Sequence, residues 1–429
     1  MAARAEVHIL AIQPLPTHTA DLWSPHVTEI TEADPRPGES IVDLIVRQAE
    51  KTGADALFTL SEFAAIAVAE AARRLGLRGS GPHTTRSRDK RRMREVWEAA
   101  GVPVPRFRTV SSEDELRTAY AELTPPMLLK AAWGAGSIGQ FVIESPEQIA
   151  EAWRTTAASV SESARHGMAE LRIDGTERDF LVEEIIPGST RTWWPEDSGY
   201  GDYLSVEGIV ADGTYHPLCI TARIPTIAPF TELSNLCPAP LPEELQRRVE
   251  EVARAAVDAL ELESCGTHTE IKLMDDGGLS VIESAARFGG VMVTAEIEHV
   301  YGYDPIGMLI DSLLGREVEF PERMLTPADA RGAAGSLSLI ATDSAGTPWG
   351  RELVWDPERV DWPALLSPGS RIEAVRGLTV APGTPMPRYD VAAGVLGYGG
   401  IFFLRTADAA ALVRDSYSVL DNLESELGS

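Results

Sequence analysis

Residues 267–290 read THTEIKLMDDGGLSVIESAARFGG, and this stretch decides the fold because it places two acidic side chains together. The run HTEIKLM alternates, DDGG has turn composition and LSVIES is a second apolar run, so a β-hairpin is predicted. An even-length loop centred on Asp276 and Gly277 sets Glu270 directly opposite Glu283. Cross-strand carboxylates repel unless a shared proton or a divalent cation neutralises them. The hairpin therefore predicts a cation site, against the alternative of two solvated glutamates on an exposed face.

The residues that follow carry a family resemblance. Arg287 adds a positive charge at the rim of the same site and precedes Gly289 and Gly290. The run from Glu283 to Gly290 resembles the end of ATP-grasp domains, whose last metal-binding strands carry one glutamate and then an E-x-N-x-R-x-G-G-like sequence. THTEIKLM and IESAARFGG are most similar to one branch, the L-amino-acid ligases or dipeptide synthetases. Ala285 replaces the usual asparagine ligand, which implies fewer protein oxygens around a second Mg²⁺.

The amino-acid composition indicates which binding partners and which cellular compartment to expect. The 429 residues are long enough for two or three domains, and 44% apolar with 24% charged residues is ordinary for a globular protein. A net charge of −27 argues against nucleic acid or an anionic membrane as a partner. Three cysteines without metal-type spacing suit a reducing compartment, and no long apolar run occurs. We therefore predict a cytoplasmic protein that acts on small molecules.

Lysine is scarce in this sequence. Only four of the 38 basic residues are lysines, namely Lys51, Lys90, Lys130 and Lys272. Where arginine occupies nearly every basic position, a retained lysine suggests a site that needs a compact, flexible ammonium, as phosphate binding does. Lys51 lies in an ordinary helical pattern, so we interpret it as neutral.

The first hundred residues alternate between strand-like and helix-like patterns. We predict strands at 6–12 and 56–60, helices at 40–52 and 63–75, and a Pro-rich acidic loop at 13–38. This alternation is typical of a small parallel α/β domain.

The resemblance implies a multidomain α/β and α+β protein with the ATP-grasp fold. Its predicted parts are an N-terminal parallel α/β domain (1–105), a small subdomain with a glycine flap (106–188), a large antiparallel-sheet subdomain (189–320) and a small strand-rich C-terminal lid domain (321–429).

A glycine-rich loop occurs in residues 125–146, where GAGSIG matches G-x-G-x-x-G. A dinucleotide-binding turn needs a helix after it, whereas the strand-like QFVIES follows here, so we predict a flap over phosphates. Its predicted nucleotide-binding residues are Gly134, Gly136, Ser137 and Gly139. The resemblance implies that Lys130, on the preceding strand, reaches the α- and β-phosphates, and that Lys90, at the "DK…G.P.P" entry to the domain, also contacts phosphate.

FLVEEIIPG (180–188) is a predicted strand that ends in two carboxylates. The resemblance implies an adenine hinge here, with Glu183 at its start and the backbone from Glu184 to Ile186 binding the base. It also implies a carboxylate that holds the ribose; Asp202 is one candidate and Glu207 is the other.

The loop predicted at 225–242 is long enough to be functional. The resemblance places Glu232 and Asn235 beside the amino-acid substrate. From the chemistry of the reaction, Arg287 is the candidate to balance charge on the tetrahedral intermediate, as an oxyanion-hole cation does, and Glu232 is a candidate acceptor for the proton of the amine. A related ligase of this branch has a bulky tryptophan after the glycine pair. Gly290 is followed here by Val291, which implies a roomier substrate pocket.

Together these features predict an ATP-dependent ligase that activates an amino-acid carboxylate as an acyl phosphate and joins it to a second amino acid or a small peptide. ATP and Mg²⁺ are the predicted cofactors, with Mn²⁺ as a substitute, and Glu270 and Glu283 as metal ligands. The sequence leaves open whether the protein forms a homodimer. Alternatives are an ATP-grasp ligase that joins a non-proteinogenic acid to a peptide or other amine in natural-product biosynthesis, a biotin-type carboxylase, a nucleotide sensor and an NAD-dependent enzyme.

Overall fold

The computed structural model describes residues 4–12, 15, 17–134, 139–165, 179–228, 230–390 and 397–428. The N-terminal part is a small parallel sheet with helices around it. Its elements are β1 (His8–Ala11), α1 (Thr17–Trp23), β2 (Glu29–Glu32), α2 (Ile41–Thr52), α3 (Ala65–Leu75) and α4 (Lys90–Ala100). β1 pairs with β2 in parallel, so the predicted parallel arrangement is confirmed. α2 begins at a capping box of Ser40 and Asp43 and ends at Gly53, whose φ of 66° suits glycine.

Two predictions for this part are wrong. Residues 13–38 contain α1 and β2 rather than a continuous loop. β2 was not predicted as a strand because two of the four residues in its sequence, EITE, are charged. Residues 56–60 form no strand. Leu57 packs on the helices beside β1 while Phe58 packs on a second cluster near α9 (Pro305–Leu313), so their apolar character reflects two packing contacts rather than sheet pairing.

A four-stranded antiparallel sheet follows. Its elements are β3 (Phe107–Val110), α5 (Glu113–Glu122), β4 (Met127–Ala131), β5 (Phe141–Ile143), α6 (Ile149–Arg165) and β6 (Phe180–Glu184), with strand order β3-β6-β4-β5. β4 and β5 are antiparallel neighbours, which confirms the two predicted strands; most of the glycine-rich segment between them lies outside the described residues. Apolar side chains of one sheet face pack against α5 and α6.

The largest element is an eight-stranded antiparallel sheet of order β11-β10-β7-β8-β9-β12-β14-β13. Its strands are β7 (Tyr203–Ala211), β8 (Thr214–Ala222), β9 (Ser234–Cys237), β10 (Cys265–Leu273), β11 (Leu279–Ala285), β12 (Ala333–Leu339), β13 (Arg371–Ala374) and β14 (Gly400–Thr406). The helices packed with it are α7 (Glu243–Leu260), α8 (Val293–Tyr301), α9, α10 (Trp362–Leu365) and α11 (Ala409–Leu427). β9 lies inside the segment 225–242 that was predicted as a loop.

The two faces of this sheet have different partners. Val206, Ile220 and Leu236 point to the face that packs on α7 and α11 in the main hydrophobic core. The opposite face packs partly on α8 and α9, and its remaining polar part faces the small sheet. Single 3₁₀ turns occur at Ser24–His26, Glu62–Ala64, Thr84–Ser87, Pro146–Gln148 and Pro327–Asp329. None of the helices in the described ranges is both long and apolar enough to cross a membrane.

The C-terminal strands continue the large sheet. β12 pairs with β9 on one side and with β14 on the other, and Phe402 belongs to the same hydrophobic core as Leu236. The strands of the range predicted as a separate lid domain (321–429) therefore share both a sheet and a core with the range before it. The four predicted domain ranges otherwise remain predictions.

Candidate active site

A cavity of about 1260 Å³ lies between the two antiparallel sheets. It is lined by most of the residues predicted from the sequence to act in function. These are Lys90, Lys130, Gly134, Gly139, Glu183, Glu184, Ile186, Asp202, Glu232, Asn235, Glu270, Glu283, Arg287, Gly290 and Val291. Gly136 and Ser137 lie outside the described residues, and Glu207 lies beneath the wall. Residues spread over some two hundred positions of sequence thus meet in one cavity.

The hairpin of β10 and β11 sets Glu270 opposite Glu283, as predicted. The predicted even-length loop is wrong, because Leu273 pairs with Leu279 across five loop residues. That register alone would set Glu270 opposite Ile282. A β-bulge after Glu270 restores the predicted pair, so two residues of β11 oppose one of β10.

Lys90 holds one of these carboxylates. It is the first residue of α4, where the Asp89 side chain caps the helix by accepting from Arg91 N. The Lys90 ammonium donates to Glu283 Oε1 and to Gly134 O, both at 2.8 Å. Burial opposes ionisation of Glu283, but the Lys90 charge outweighs it and lowers the pKa of that carboxyl to about 2. Lys90 therefore joins the acidic pair to the glycine-rich loop.

Lys130 and Glu183 form a buried ion pair on β4 and β6. Glu183 Oε2 also accepts from Arg94 Nε at 3.0 Å, while Arg94 Nη2 donates to the carbonyl of the bulge residue Ile282 at 2.8 Å. Burial lowers the pKa of Lys130, and the neighbouring Arg94 adds to this effect. Although burial favours the neutral acid, Arg94 and Lys130 hold the pKa of Glu183 below its ordinary value. Arg94 was not predicted.

The hinge after β6 is partly occupied by backbone hydrogen bonds. Glu184 N donates to Arg106 O at 3.0 Å, and Ile185 N donates to Pro126 O at 3.2 Å. The Glu184 carboxylate accepts at 2.9 Å from the N–H of Thr124, which lies between α5 and β4. Glu184 and Ile185 thus hold the hinge in place, and Ile186 is the next residue that faces the cavity.

Of the two candidate ribose ligands, only Asp202 lines the cavity. Its Oδ1 accepts from Lys272 Nζ at 2.7 Å. Lys272, the one remaining lysine without a predicted role, therefore lies beside Asp202 in the cavity wall. A Cβ added to Gly188 would lie 1.8 Å from Asp202 Oδ2 and 2.4 Å from Lys272 Cε. Only glycine at 188 lets this ion pair approach the hinge.

Glu207 is fully buried and contacts a histidine rather than the cavity. His268 Nδ1 donates to Glu207 Oε1 at 2.6 Å, and His268 Nε2 lies 3.4 Å from Glu270 Oε1. Burial opposes protonation of His268, but the two glutamates outweigh it and raise its pKa to about 9. Gly289 N donates to Glu207 Oε2 at 3.3 Å, which connects this chain of contacts to the loop that follows Arg287.

Arg287 is paired with a residue from the N-terminal part of the chain. Arg287 Nε lies 2.5 Å from Glu62 Oε2, and Arg88 Nε lies 3.3 Å from Glu62 Oε1. Burial disfavours the charged guanidinium, but Glu62, Glu283 and further acidic groups outweigh it and raise the pKa of Arg287. Glu62 belongs to no recognisable motif, and it could not be identified from the sequence alone.

The other end of the cavity is polar and includes residues of the C-terminal strands. Glu232 lies just before β9, and its carbonyl accepts from Tyr398 OH at 3.0 Å. Burial raises the pKa of the Glu232 carboxyl. Asn235 lies on β9 opposite Ser336 of β12, and both line the cavity.

The loop after Arg287 borders this end. A Cβ at Gly290 would meet no atom within 4 Å, so this position opens into free space. Val291 and Met292 have φ of 52° and 74°, a strained conformation for side-chain-bearing residues and especially for a β-branched one.

The acidic pair fits a hard divalent cation by its donor chemistry, since Mg²⁺ prefers carboxylate oxygens together with phosphate and water. Glu270 and Glu283 both face the cavity. Among the described residues, no group of three or more His, Cys, Asp or Glu side chains could hold a metal without other ligands. A metal here would therefore need oxygens from a bound substrate.

A family model described as an ATP-grasp domain matches residues 123–295. The alanine–anticapsin ligase of Bacillus subtilis (strain 168) is 36% identical over 295 residues, which cover 68% of this chain and 60% of that protein. The D-alanine–D-alanine ligase of Pseudomonas entomophila (strain L48) is 36% identical over 118 residues, or 26% of this chain and 36% of that protein. The chain thus spans less than two thirds of the length of these curated relatives.

Solved structures extend the likeness over nearly the whole chain. An L-amino acid ligase from Bacillus licheniformis superposes with a TM-score of 0.69 at 18% identity, covering 97% of both chains. A biotin carboxylase from Campylobacter jejuni superposes with a TM-score of 0.63 at 17% identity, covering 94% of this chain and 82% of that one. At these identities the likeness concerns the fold.

Proposed function

The chain contains an ATP-grasp domain over residues 123–295 and has the predicted ATP-grasp fold, and from this premise we propose that it is an ATP-dependent carboxylate–amine ligase. It would join two amino acids into a dipeptide and release ADP and phosphate. The observation that supports this most directly is the pairing of Glu270 with Glu283 in one cavity with Lys90, Lys130 and Arg287.

The nucleotide would lie between the glycine-rich loop and the hinge. Lys90 and Lys130 would contact the phosphates, because phosphoryl transfer requires cations around the transferred group. With Glu184 N and Ile185 N engaged elsewhere, Ile186 is the hinge residue that would bind the base. Asp202, held by Lys272, would accept from the ribose hydroxyls.

Glu270 and Glu283 would hold Mg²⁺, or Mn²⁺ as its substitute. Bound there, the ion would neutralise phosphate charge during transfer. Lys90 and His268 hold the two carboxylates from either side and so orient them toward the cavity.

The reaction would proceed in two steps. An oxygen of the donor carboxylate attacks the γ-phosphorus of ATP, the bond to the β-phosphate oxygen breaks, and ADP leaves. The amine nitrogen then attacks the acyl carbon, the bond to the phosphate oxygen breaks, and phosphate leaves. Arg287 would stabilise the oxyanion of the intermediate. Glu232, whose pKa burial raises, would take the proton that the amine loses.

The donor pocket would be bounded by Gly290 and Val291. Free space at Gly290 and the modest size of Val291 support a pocket that admits side chains larger than that of alanine. ADP release with Ala, Leu, Met and Phe as sole donors tests this, and a strict preference for alanine would contradict it.

The substrates would be small molecules handled in the cytoplasm, where the three buried free cysteines stay reduced. A homodimer would be compatible with this function. A second candidate function is ligation of a non-proteinogenic acid to a peptide or other amine in natural-product biosynthesis. The cavity volume of about 1260 Å³ is the observation that favours this second candidate function.

The decisive experiment measures phosphate release across paired amino acids, with mass detection of the products. The wild type should form a dipeptide and ADP in equal amounts. Glu283→Gln should lower the rate about a thousandfold by removing one of the paired carboxylates. Glu298→Gln, at an exposed position of α8, is the matched control and should retain the rate. ATP turnover with no peptide product from any pair would reject the dipeptide assignment.

A further inference from the structure

Arg223 is a buried guanidinium on the cavity wall to which the proposed reaction gives no role. It follows the end of β8 and is 2% exposed. Its Nη1 donates to Thr221 Oγ1 at 3.0 Å and to Ala222 O at 3.1 Å, and its Nη2 donates to Ser205 Oγ at 2.8 Å. These bonds fix the guanidinium against β7 and β8. All three acceptors are neutral, so none of them compensates its charge.

The charge of Arg223 lacks a direct partner. Within the ranges that the structure describes, no carboxylate forms an ion pair with Arg223, and its Nε has no hydrogen-bond acceptor. Other buried cations of the cavity differ, since Lys130 pairs with Glu183 and Arg287 pairs with Glu62. An unpaired buried charge is costly unless something neutralises it. An anionic group of a ligand would do so.

Acidic residues near Arg223 act on it only at a distance. Glu232, Glu207 and Glu270 each favour its charged form, and the guanidinium carbon lies 5.3 Å from the centre of the Tyr203 ring. These groups keep Arg223 charged, yet they leave its Nε–H without an acceptor. The residue is therefore a fixed donor in the cavity wall.

An unpartnered acceptor lies on the adjacent strand. Asn235 is 4% exposed and lines the cavity, and its Oδ1 accepts no hydrogen bond from the described residues. Glu232, three residues before it, adds a carboxylate at the same end. One unpaired cation next to an unpartnered amide oxygen and a carboxylate matches a ligand that carries both a negative group and an N–H donor.

We propose that this end of the cavity binds the amine substrate as an α-amino acid with a free carboxylate. Arg223 binds that carboxylate, while Asn235 Oδ1 and Glu232 accept from its amino group. This inference rests on the proposed ligase function and deepens it, because it separates amino-acid nucleophiles from amines that lack a carboxylate.

The position of Arg223 in the sheet favours a carboxylate over a phosphoryl group as its anion. β8 lies two strands from β10 and three from β11, which carry the acidic pair, and it is next to β9. At the usual strand spacing its backbone is about 10 Å from β10 and about 14 Å from β11, while its guanidinium reaches Ser205 on β7, the strand next to β10. The lysines assigned to phosphate are on other elements, whereas Asn235 is on the neighbouring strand.

The test compares a nucleophile with its own carboxamide, for example alanine with alaninamide, at saturating ATP and donor. The measured quantity is kcat/KM for product formation with each nucleophile. The wild type should prefer the free acid by about 10- to 100-fold, the range expected for a buried charge-assisted hydrogen bond. In Arg223→Met this preference should collapse to within about threefold, because only the acid loses its partner. Arg223→Lys should give an intermediate preference.

Two controls separate this role from others. Arg254→Met removes an arginine that also lies over a tyrosine ring, that of Tyr215, but is not on the cavity wall, and it should leave the preference unchanged. Hydroxylamine in place of the amine substrate traps the activated donor as a hydroxamate and needs no carboxylate site. Its rate should be the same in wild type and Arg223→Met.

Each outcome is decisive. Equal use of alanine and alaninamide by the wild type overturns the inference, and so does an unchanged preference in Arg223→Met. Slower hydroxamate formation with a higher KM for ATP would assign Arg223 to a phosphoryl group and overturn it as well. If the methionine variant does not fold, Arg223→Lys is decisive: a preference equal to that of the wild type rejects the inference. Absence of hydroxamate and ADP in the wild type with every amino acid would instead reject the proposed ligase function.

Discussion

Glu62, in the N-terminal part of the chain, pairs with Arg287 of the cavity wall. It compensates two buried cations, Arg287 and Arg88, and is itself only 6% exposed. Removing the negative charge of Glu62 would leave the buried positive charges of both arginines less well compensated. The position of Arg287 therefore depends on a residue more than two hundred positions away.

Glu62→Gln should lower the rate of ADP release by about 10- to 100-fold and destabilise the fold by about 3 kcal/mol, because one partner of a buried ion pair is lost. Enzyme assays and urea unfolding measure the two effects. Glu50→Gln, on the exposed side of α2, is the control and should change neither. Full activity in Glu62→Gln would contradict this prediction, because Arg287 would then keep its position without the Glu62 carboxylate.

His268 makes stability depend on pH. Its pKa is raised from an ordinary 6.5 to about 9 by Glu207 and Glu270, against the effect of burial. A raised histidine pKa contributes stability that is fully present below the unfolded pKa and is lost as pH rises through the folded one.

We therefore expect the difference in unfolding free energy between wild type and His268→Gln to shrink by roughly 3 kcal/mol between pH 6.5 and pH 10. Urea titrations of both proteins at several pH values in this window measure it. The subtraction removes other groups that titrate in the same range. A difference that stays constant with pH would show that His268 is neutral in the folded protein.

At the scale of elements, the acidic hairpin shows what local sequence determines. The pairing of Glu270 with Glu283 was predicted from an even-length loop; the pairing is correct, whereas the loop length that the turn composition suggested is wrong. The bulge that reconciles the two depends on Ile282, whose carbonyl accepts from Arg94 of α4. A contact with a helix almost two hundred residues earlier is invisible in the local pattern.

The same limit explains the other errors and omissions. Periodicity located α2, α3 and the hairpin of β10 and β11, because their apolar positions repeat within one element. β2 has four residues, two of them charged, and it is a strand because it pairs with β1 rather than because of a local apolar pattern. Glu62, Arg94 and Arg223 carry no motif, and only the folded chain brings Arg223 to the cavity wall and brings Glu62 and Arg94 against residues that line it. Motif residues were thus predictable, and their buried ionic partners were not.

The connection after β6 carries a prediction about nucleotide binding. Gly188→Ala would place a methyl group 1.8 Å from Asp202 Oδ2 and 2.4 Å from Lys272 Cε, so the ion pair must move away from the hinge. We expect KM for ATP to rise about tenfold, the cost of losing one or two hydrogen bonds, while KM for the amino acids stays near its wild-type value.

Gly350→Ala is the matched control for that experiment. Gly350 is exposed, and its added Cβ would meet only Glu424 Oε1 at 3.7 Å. KM values for ATP and amino acids, measured with ADP release, should match those of the wild type. A Gly188→Ala variant with unaltered KM for ATP would place the ribose away from Asp202.

At the scale of the whole molecule, the cavity is built by two sheets whose residues come from all parts of the sequence. The small sheet and α4 supply cations, β10 and β11 supply the acidic pair, and β9 with β12 supplies the polar end. A protein with net charge −27 thereby concentrates lysine and arginine where an anionic nucleotide would bind. The C-terminal strands are part of this wall rather than a cover added to it.

A chain that ends at Pro321 should therefore fail to fold, although the sequence pattern predicted a boundary there. It would lose β12, leaving β9 as an unprotected edge, and it would lose α11, exposing apolar side chains of the main core. We expect no cooperative thermal transition by circular dichroism and strong binding of a hydrophobic dye. A chain that ends at Leu427 keeps all described elements and should unfold cooperatively like the wild type. If the shorter chain instead unfolded cooperatively and bound ATP, the C-terminal strands would be a separable lid, and the polar end of the cavity would not be needed to hold the nucleotide.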